Sequence, residues 1–238
     1  MGEARTISIM KVAVLLLAAG RGTRFGGEIA KQYVKVCGKE ILLHTLHSLS
    51  QEPRIAVVQP VIAEGDTMFA DVVATHAFPF QILPAVVGGA ERSISMQKGL
   101  AALPDDVDMV AVHDAARPLA SKPVLEDVLD MGEEHGAAVP GIAMHDTIKR
   151  INDDGKVLET PLRATLRAVQ TPQVARKDWF EKALEKEKQR LHLHTDDASV
   201  LEAAGFPVYV SQGDVNNRKI TTQDDLLWMQ TLLQGEGL

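Results

Sequence analysis

Residues 12–32 read VAVLLLAAGRGTRFGGEIAKQ. The first six are apolar without a break, which suits a central parallel strand buried on both faces. Ala18, Ala19, Gly20 and Gly22 follow. Such small residues let the backbone approach a ligand closely, with N–H groups converging on an anion. Arg24 and Lys31 add two positive charges to the same turn. A buried strand that runs into this turn is a cradle for a polyphosphate. Two common phosphate loops do not fit it. The pattern G-x-G-x-x-G needs Gly where Phe25 stands, and a Walker loop started at Gly22 needs Lys where Glu28 stands.

Outward from this stretch, strand and helix periods alternate as far as residue 143. Helices are predicted over 41–49, 66–75, 93–103 and 122–135, and strands over 55–62, 81–87, 107–113 and 137–143. Pro60 is expected to stop the strand at 55–62 near Gln59. The alternation predicts an α/β protein with a Rossmann-like, mostly parallel sheet and helices on both faces. Ligands of such sheets sit at the carboxyl ends of the strands, here 18–24, 88–95 and 113–118. Between 146 and 173 the alternation stops, and short β-rich pieces flank Asp154-Gly155, a hairpin signal. This excursion predicts a β-arm projecting from one domain that spans 1–238. A two-stranded arm is marginal alone, so the arm is expected to pack on its counterpart in a homodimer. Helical period returns at 177–189, at 195–204 with Thr195 or Asp196 as cap, and at 222–233, with a strand at 208–210.

The chain carries a net charge of −7 over 238 residues. That balance argues against a nucleic-acid surface, so a phosphate site must be a local basic pocket. Cys37 is the single cysteine. It excludes an internal disulfide or a thiolate metal cluster, and within VKVCGKEIL it reads as a packed small residue. No run approaches the roughly 20 apolar residues of a membrane span, and residues 1–11 lack a signal-peptide core. No membrane partner and a cytoplasmic location are expected.

Asp114 ends the strand at 107–113. It is placed either to hold a Mg2+ shared with nucleotide phosphates or to cap the following turn. Arg117 either pairs with Asp114 or reaches a substrate phosphate. Lys219, in a loop that feeds a helix, is a third cation for the pocket or a solvated surface residue. Arg163 and Arg167 lie on the arm, either as substrate contacts across a subunit boundary or as solvated charges. The pairs His44/His47 and His192/His194 lack zinc spacing, and no G-x-S-x-G elbow occurs.

Seven motifs stand in order: LAAGRGTRF with KQY, GGAERSIS, VHDAARP, DTIKR, QTPQ, TDDASVLEAAG and NRKITTQDDL. Together they resemble the cytidylyltransferase family that acts on 2-C-methyl-D-erythritol 4-phosphate in the non-mevalonate isoprenoid pathway. A related family that uses ribitol 5-phosphate tends to read HDAVRP where this chain has HDAARP at 113–118. From another class, the alternative is a non-catalytic nucleotide-binding protein on the same scaffold. The resemblance implies that Ala18, Ala19, Gly20 and Gly22 wrap the CTP phosphates, with Gly89, Ser95 and Ala115 completing the nucleotide site. It implies that Arg24 and Lys31 stabilise charge at the α-phosphate and that Asp114 holds Mg2+. Arg117, Thr147, Arg163, Thr171 and Lys219 would position the polyol phosphate, Arg163 and Thr171 from a partner subunit. Two positions depart from the family's usual pattern. Ala30 replaces a Pro, and Asn216 stands where a carboxylate is usual, which leaves the metal to Asp114 or brings in Asp214.

Overall fold

The computed structural model describes residues 10–20 and 29–235. Arg24 and Gly22 therefore lie outside the described residues, as do residues 1–9 at the N-terminus. In chain order the first elements are β1 (Val12–Ala18), β2 (Lys35–Val36), β3 (Lys39–Glu40), α1 (Ile41–Leu49), β4 (Ile55–Ile62) and α2 (Met68–Ala74). Next come β5 (Gln81–Ile82), β6 (Val86–Val87), α3 (Arg92–Ala101), β7 (Met109–Asp114), α4 (Lys122–His135) and β8 (Ala137–Ala143). The rest is β9 (Arg150–Ile151), β10 (Val157–Glu159), β11 (Arg167–Val169), β12 (Gln173–Arg176), α5 (Lys177–Glu187), α6 (Asp197–Ala204), β13 (Tyr209–Gln212) and α7 (Gln223–Gly235).

β1 lies inside the sheet, parallel to β4 on one side and β7 on the other. Its side chains alternate between the two faces, as strand geometry requires. Val12, Val14 and Leu16 join Leu42, Leu46, Leu125 and Leu129 from α1 and α4. Ala13 and Leu15 join Met96, Leu100, Phe180 and Leu201 from α3, α5 and α6. Both faces are covered, which is why this strand reads as an unbroken apolar run. Each fully buried Leu of these layers contributes about 1.5–3 kcal/mol relative to exposure.

Three local expectations are corrected. Pro60 does not end its strand. Val58 and Ile62 accept hydrogen bonds from Leu83 and Gly88 on the outer side of β4, so Pro60, in the same phase, lacks its N–H on that side. There the neighbour is interrupted between β5 and β6, and the Gln59 side chain donates to the Pro84 carbonyl at 2.9 Å. The strand expected at 81–87 is accordingly two short pieces. Cys37 is exposed rather than packed. With Gly38 it forms the two-residue turn between β2 and β3, both at positive φ, 49° and 80°, the signature of a type I′ hairpin turn.

The excursion after β8 projects less than its sequence suggests. Among the described residues, β9 and β10 pair only with each other. β11 then returns to the main sheet antiparallel to β8, and β12 enters between β8 and β7. Thus only the portion before β11 stands apart, while residues 170–173 lie in the interior. β13 pairs parallel to β8. Among the described residues, no helix is long and apolar enough to cross a membrane.

Candidate active site

Three strand ends meet, as a mostly parallel sheet requires. β1 delivers Ala18, Ala19 and Gly20, β6 leads through Gly88 and Gly89 into α3, and β7 delivers Asp114, Ala115 and Ala116. All of these but Gly88, together with Lys31, Gln32, Arg92, Ser95 and Lys219, line a cavity of about 210 Å3. The two glycine-bearing loops are in contact, since a Cβ on Gly88 would lie 2.7 Å from that of Ala19. Ser95 fixes the second loop, accepting from the Gly89 N–H and donating to the Glu91 carbonyl, each at 3.0 Å. Gln32 donates to the Ala18 carbonyl at 2.8 Å and ties the turn carrying Lys31 to the end of β1. Lys31 itself reaches the Ile220 carbonyl at 2.9 Å.

Asp114 is the electrostatic centre of this cavity. Arg92 Nη1 lies 2.5 Å from its Oδ1, Lys219 Nζ 2.8 Å from its Oδ2, and Arg117 Nε 3.6 Å from Oδ2. Burial by itself would push this carboxyl up, but Arg92 and then Lys219 outweigh it and hold it well below the usual carboxylate range. Asp114 is therefore held in its ionised form.

Behind Asp114 sits a neutral support. His113 is fully buried, and its pKa is lowered to about 4 by that burial, with smaller opposed contributions from Asp114 and Arg117. Its Nε2 lies 3.2 Å from the Arg117 carbonyl and its Nδ1 2.9 Å from Thr171 Oγ1. A carbonyl can only accept, so Nε2 carries the proton and Nδ1 accepts from the Thr171 hydroxyl. That hydroxyl in turn accepts the Asp114 N–H at 3.2 Å. The chain from Arg117 to Asp114 is thus closed through one tautomer.

Lys219 is held by its own loop. Asp225 accepts from the N–H groups of Thr221 and Thr222 at 2.8 and 2.9 Å, and it pairs with Arg218. The Ile220 N–H donates to the Ala116 carbonyl at 2.8 Å, fastening this loop to the end of β7.

Of the residues singled out from sequence, Ala18, Ala19, Gly20, Lys31, Gly89, Ser95, Asp114, Ala115 and Lys219 line the cavity. Four others do not. Thr171 is buried under Asp114 with its hydroxyl committed as described. Arg117 turns to Asp114 and donates to the Asn217 carbonyl at 2.8 Å, the first of its two readings. Thr147 and Arg163 are exposed on the excursion, where Arg163 donates to the His145 carbonyl. Asp214 accepts from Ser121 and the Asn216 N–H and is absent from the lining. Arg92 was missed, as was Asp197, which takes Arg92 Nε and Nη2 at 3.1 and 2.6 Å. The one signal for Arg92 was a cation three residues beyond Gly89, within GGAERSIS. Asp197 carried no signal beyond its place in TDDASVLEAAG, directly after the cap candidate Asp196.

Among the described residues, no group of three or more His, Cys, Asp or Glu side chains gathers around one point. A metal here would rest on Asp114, whose oxygens keep lone-pair capacity beyond their cation contacts, and on substrate and water oxygens. That donor set fits Mg2+, which typically takes one or two carboxylates together with phosphate oxygens.

A backbone cradle at the strand ends, with converging cations around one ionised carboxylate, defines an α/β protein built to hold and activate a nucleotide's phosphates. The chain belongs to the 2-C-methyl-D-erythritol 4-phosphate cytidylyltransferase family, whose model matches residues 12–235. A relative so named from Symbiobacterium thermophilum is 40% identical over 226 residues, 95% of this chain and 94% of that one. Another from Desulforamulus reducens is 36% identical over 224 residues, 94% and 96% of the two chains. The crystal structure of 4-diphosphocytidyl-2C-methyl-D-erythritol synthase from Anaerococcus prevotii superposes with a TM-score of 0.84 at 29% identity, covering 95% of this chain and all of that one.

Proposed function

We propose that this protein transfers CMP from CTP to 2-C-methyl-D-erythritol 4-phosphate, giving 4-diphosphocytidyl-2-C-methyl-D-erythritol and pyrophosphate. The observation that carries the reading is the coincidence of a family match over residues 12–235 with a cavity where cations ring Asp114.

An oxygen of the substrate monophosphate attacks the α-phosphorus of CTP, and the bond to the departing pyrophosphate breaks. A phosphate monoester has its second pKa near about 6, so the nucleophile is largely dianionic at neutral pH and needs no general base. Two polyanions must instead be brought together, which is work for cations and positioning. Ala18, Ala19 and Gly20 offer backbone N–H groups, and Gly89 and Ser95 form the wall opposite. Lys31 and Lys219 stand where negative charge grows, and Arg24 is assigned to the same task. Mg2+, held by Asp114, would neutralise phosphate charge.

The site is completed by a second copy of the chain in a homodimer. Support comes from the arm, where Ile151, Val157, Leu158 and Leu162 are each at least half exposed, and from Arg163 and Thr147, which do not line their own cavity. A cytoplasmic location agrees with the single unpaired cysteine.

The test is pyrophosphate release with CTP, Mg2+ and methylerythritol phosphate, beside a ribitol 5-phosphate control. Turnover with the first substrate supports the assignment. Silence with it and turnover with ribitol 5-phosphate would move the protein to the other specificity, and CTP binding without either reaction would make it a binding protein. Lys31→Ala should abolish turnover in a protein that still folds.

A further inference from the structure

Arg92 reaches the cavity from the first turn of α3, and a second element holds it there. Asp197, the first residue of α6, takes Arg92 Nε on both carboxylate oxygens, at 3.2 and 3.1 Å, and Nη2 at 2.6 Å. Arg92 Nη1 is spent on Asp114. A guanidinium has five N–H donors. These contacts leave one hydrogen on each terminal nitrogen, on a side chain that lines the cavity. Asp197 is 1% exposed and is absent from the lining of that cavity.

The N-terminus of α6 is fixed independently. Gln173 of β12 accepts from the Ala198 N–H at 2.8 Å and donates to Asp196 at 2.9 Å, while Asp196 and Ser199 close a capping box. Capping is therefore done by Asp196, and Asp197 is left to Arg92. A buried ion pair is weak evidence of stabilisation, because desolvation offsets its attraction and apolar residues of similar volume serve as well. What apolar residues cannot do is aim a planar fork at two acceptors at once.

We propose that Asp197 is a positioning residue for nucleotidyl transfer. It fixes Arg92 so that a single guanidinium steadies Asp114 and presents its two remaining hydrogens to the nucleotide's phosphates. The inference rests on the reaction proposed above and adds α6 to its machinery. Without Asp197, Arg92 swings toward Asp114 alone, and both phosphate binding and the carboxylate's orientation suffer.

The experiment is a double-mutant cycle on the full chain with Mg2+, using Asp197→Asn, Arg92→Gln and the two combined. Each single variant is expected to lose about tenfold in kcat/KM for CTP. The double variant is expected to lose no more than Arg92→Gln alone, because the residues act as one unit. Arg92→Lys, which keeps the charge without the fork, is expected not to rescue. Wild-type kcat and KM per folded molecule in Asp197→Asn, with only a lowered Tm, would overturn the proposal and make the pair structural. Additive losses would overturn it as well. A crystal of the wild type with CTP and Mg2+ gives a test independent of variant folding. Arg92 should then hold Asp197 and a phosphate oxygen together, and an Arg92 without phosphate contact would refute the role. A wild type that turns over while these tests fail removes this proposal alone; a wild type without turnover removes both.

Discussion

Two arginine–carboxylate contacts of similar length occupy opposite surroundings in this molecule. Arg92 meets Asp197 at 2.6 Å with the carboxylate 1% exposed, and Arg150 meets Glu159 at 2.8 Å with side chains 61% and 52% exposed. The first is held by α3, α6 and, through Asp114, by β7. The second closes a two-stranded hairpin that pairs with no other strand among the described residues. The site end of the sheet is over-determined by its own packing, whereas the arm depends on whatever covers it. Identical chemistry therefore carries different weight in the two places.

The sharpest break in this contrast is Lys219→Ala. Its ammonium stands on Asp114 inside the cavity, where a positioned charge is worth about 10²–10³-fold in rate. Turnover should fall by that factor in steady-state pyrophosphate release, while the circular dichroism spectrum stays unchanged. A loss below about threefold would mean that the cations of the site merely balance its carboxylates.

Next in size is a pH effect confined to the buried end. His113 has a folded pKa of about 4 against about 6.5 in the unfolded chain. The unfolded state takes up the proton first as pH falls. His113 therefore contributes stability that is complete above about 6.5 and lost on the way down to 4. Between pH 7.5 and pH 5 this amounts to about 2 kcal/mol. Asp114 adds nothing in that window, because its depressed pKa places its own loss below the ordinary carboxylate range. Urea midpoints of wild type and His113→Gln, compared at both pH values, should show the variant losing about 2 kcal/mol less. Parallel losses would refute the neutral tautomer that supports Thr171 and Asp114.

On the arm, Leu162 is 71% exposed. If a second copy covers it, Leu162→Asp removes about 1.5–3 kcal/mol per buried side chain from the association. Sedimentation should then shift from dimer toward monomer, with activity falling in parallel because Arg163 no longer reaches a neighbouring cavity. A monomeric, fully active wild type would sink the arm's role.

The same contrast explains what could be read in advance. The central strand was legible because burial on both faces leaves an unbroken apolar run, Val12 to Leu17. Asp114 was legible as a cavity residue because it ends a buried strand where ligands of such sheets sit. Arg92 and Asp197 were not, because 105 residues separate them and each alone resembles an ordinary residue at a helix start. β12 was hidden for a different reason. Only Gln173 to Arg176 form it, directly after Thr171-Pro172, and four residues carry too little period to separate an inserted strand from the end of an arm. Thr171 went with it, and the position of its hydroxyl beneath Asp114 could not be read from the arm. Pro60 misled because its consequence depends on which neighbour it faces, and the neighbour is interrupted there.

The smallest expected effect lies in the Arg150–Glu159 pair. An exposed ion pair gains little in high dielectric and gives up side-chain entropy to form, so its usual worth is about 0.2–1 kcal/mol, falling with salt. Arg150→Ala should therefore move the Tm only slightly, and the remaining difference should vanish in about 1 M salt. Catalysis should be untouched, since neither residue is assigned a contact with substrate in either copy. A larger, salt-resistant loss would show that Arg150 and Glu159 are desolvated in the assembled protein. The arm would then join the site in being fixed by burial, with the second copy supplying the burial that its own chain does not.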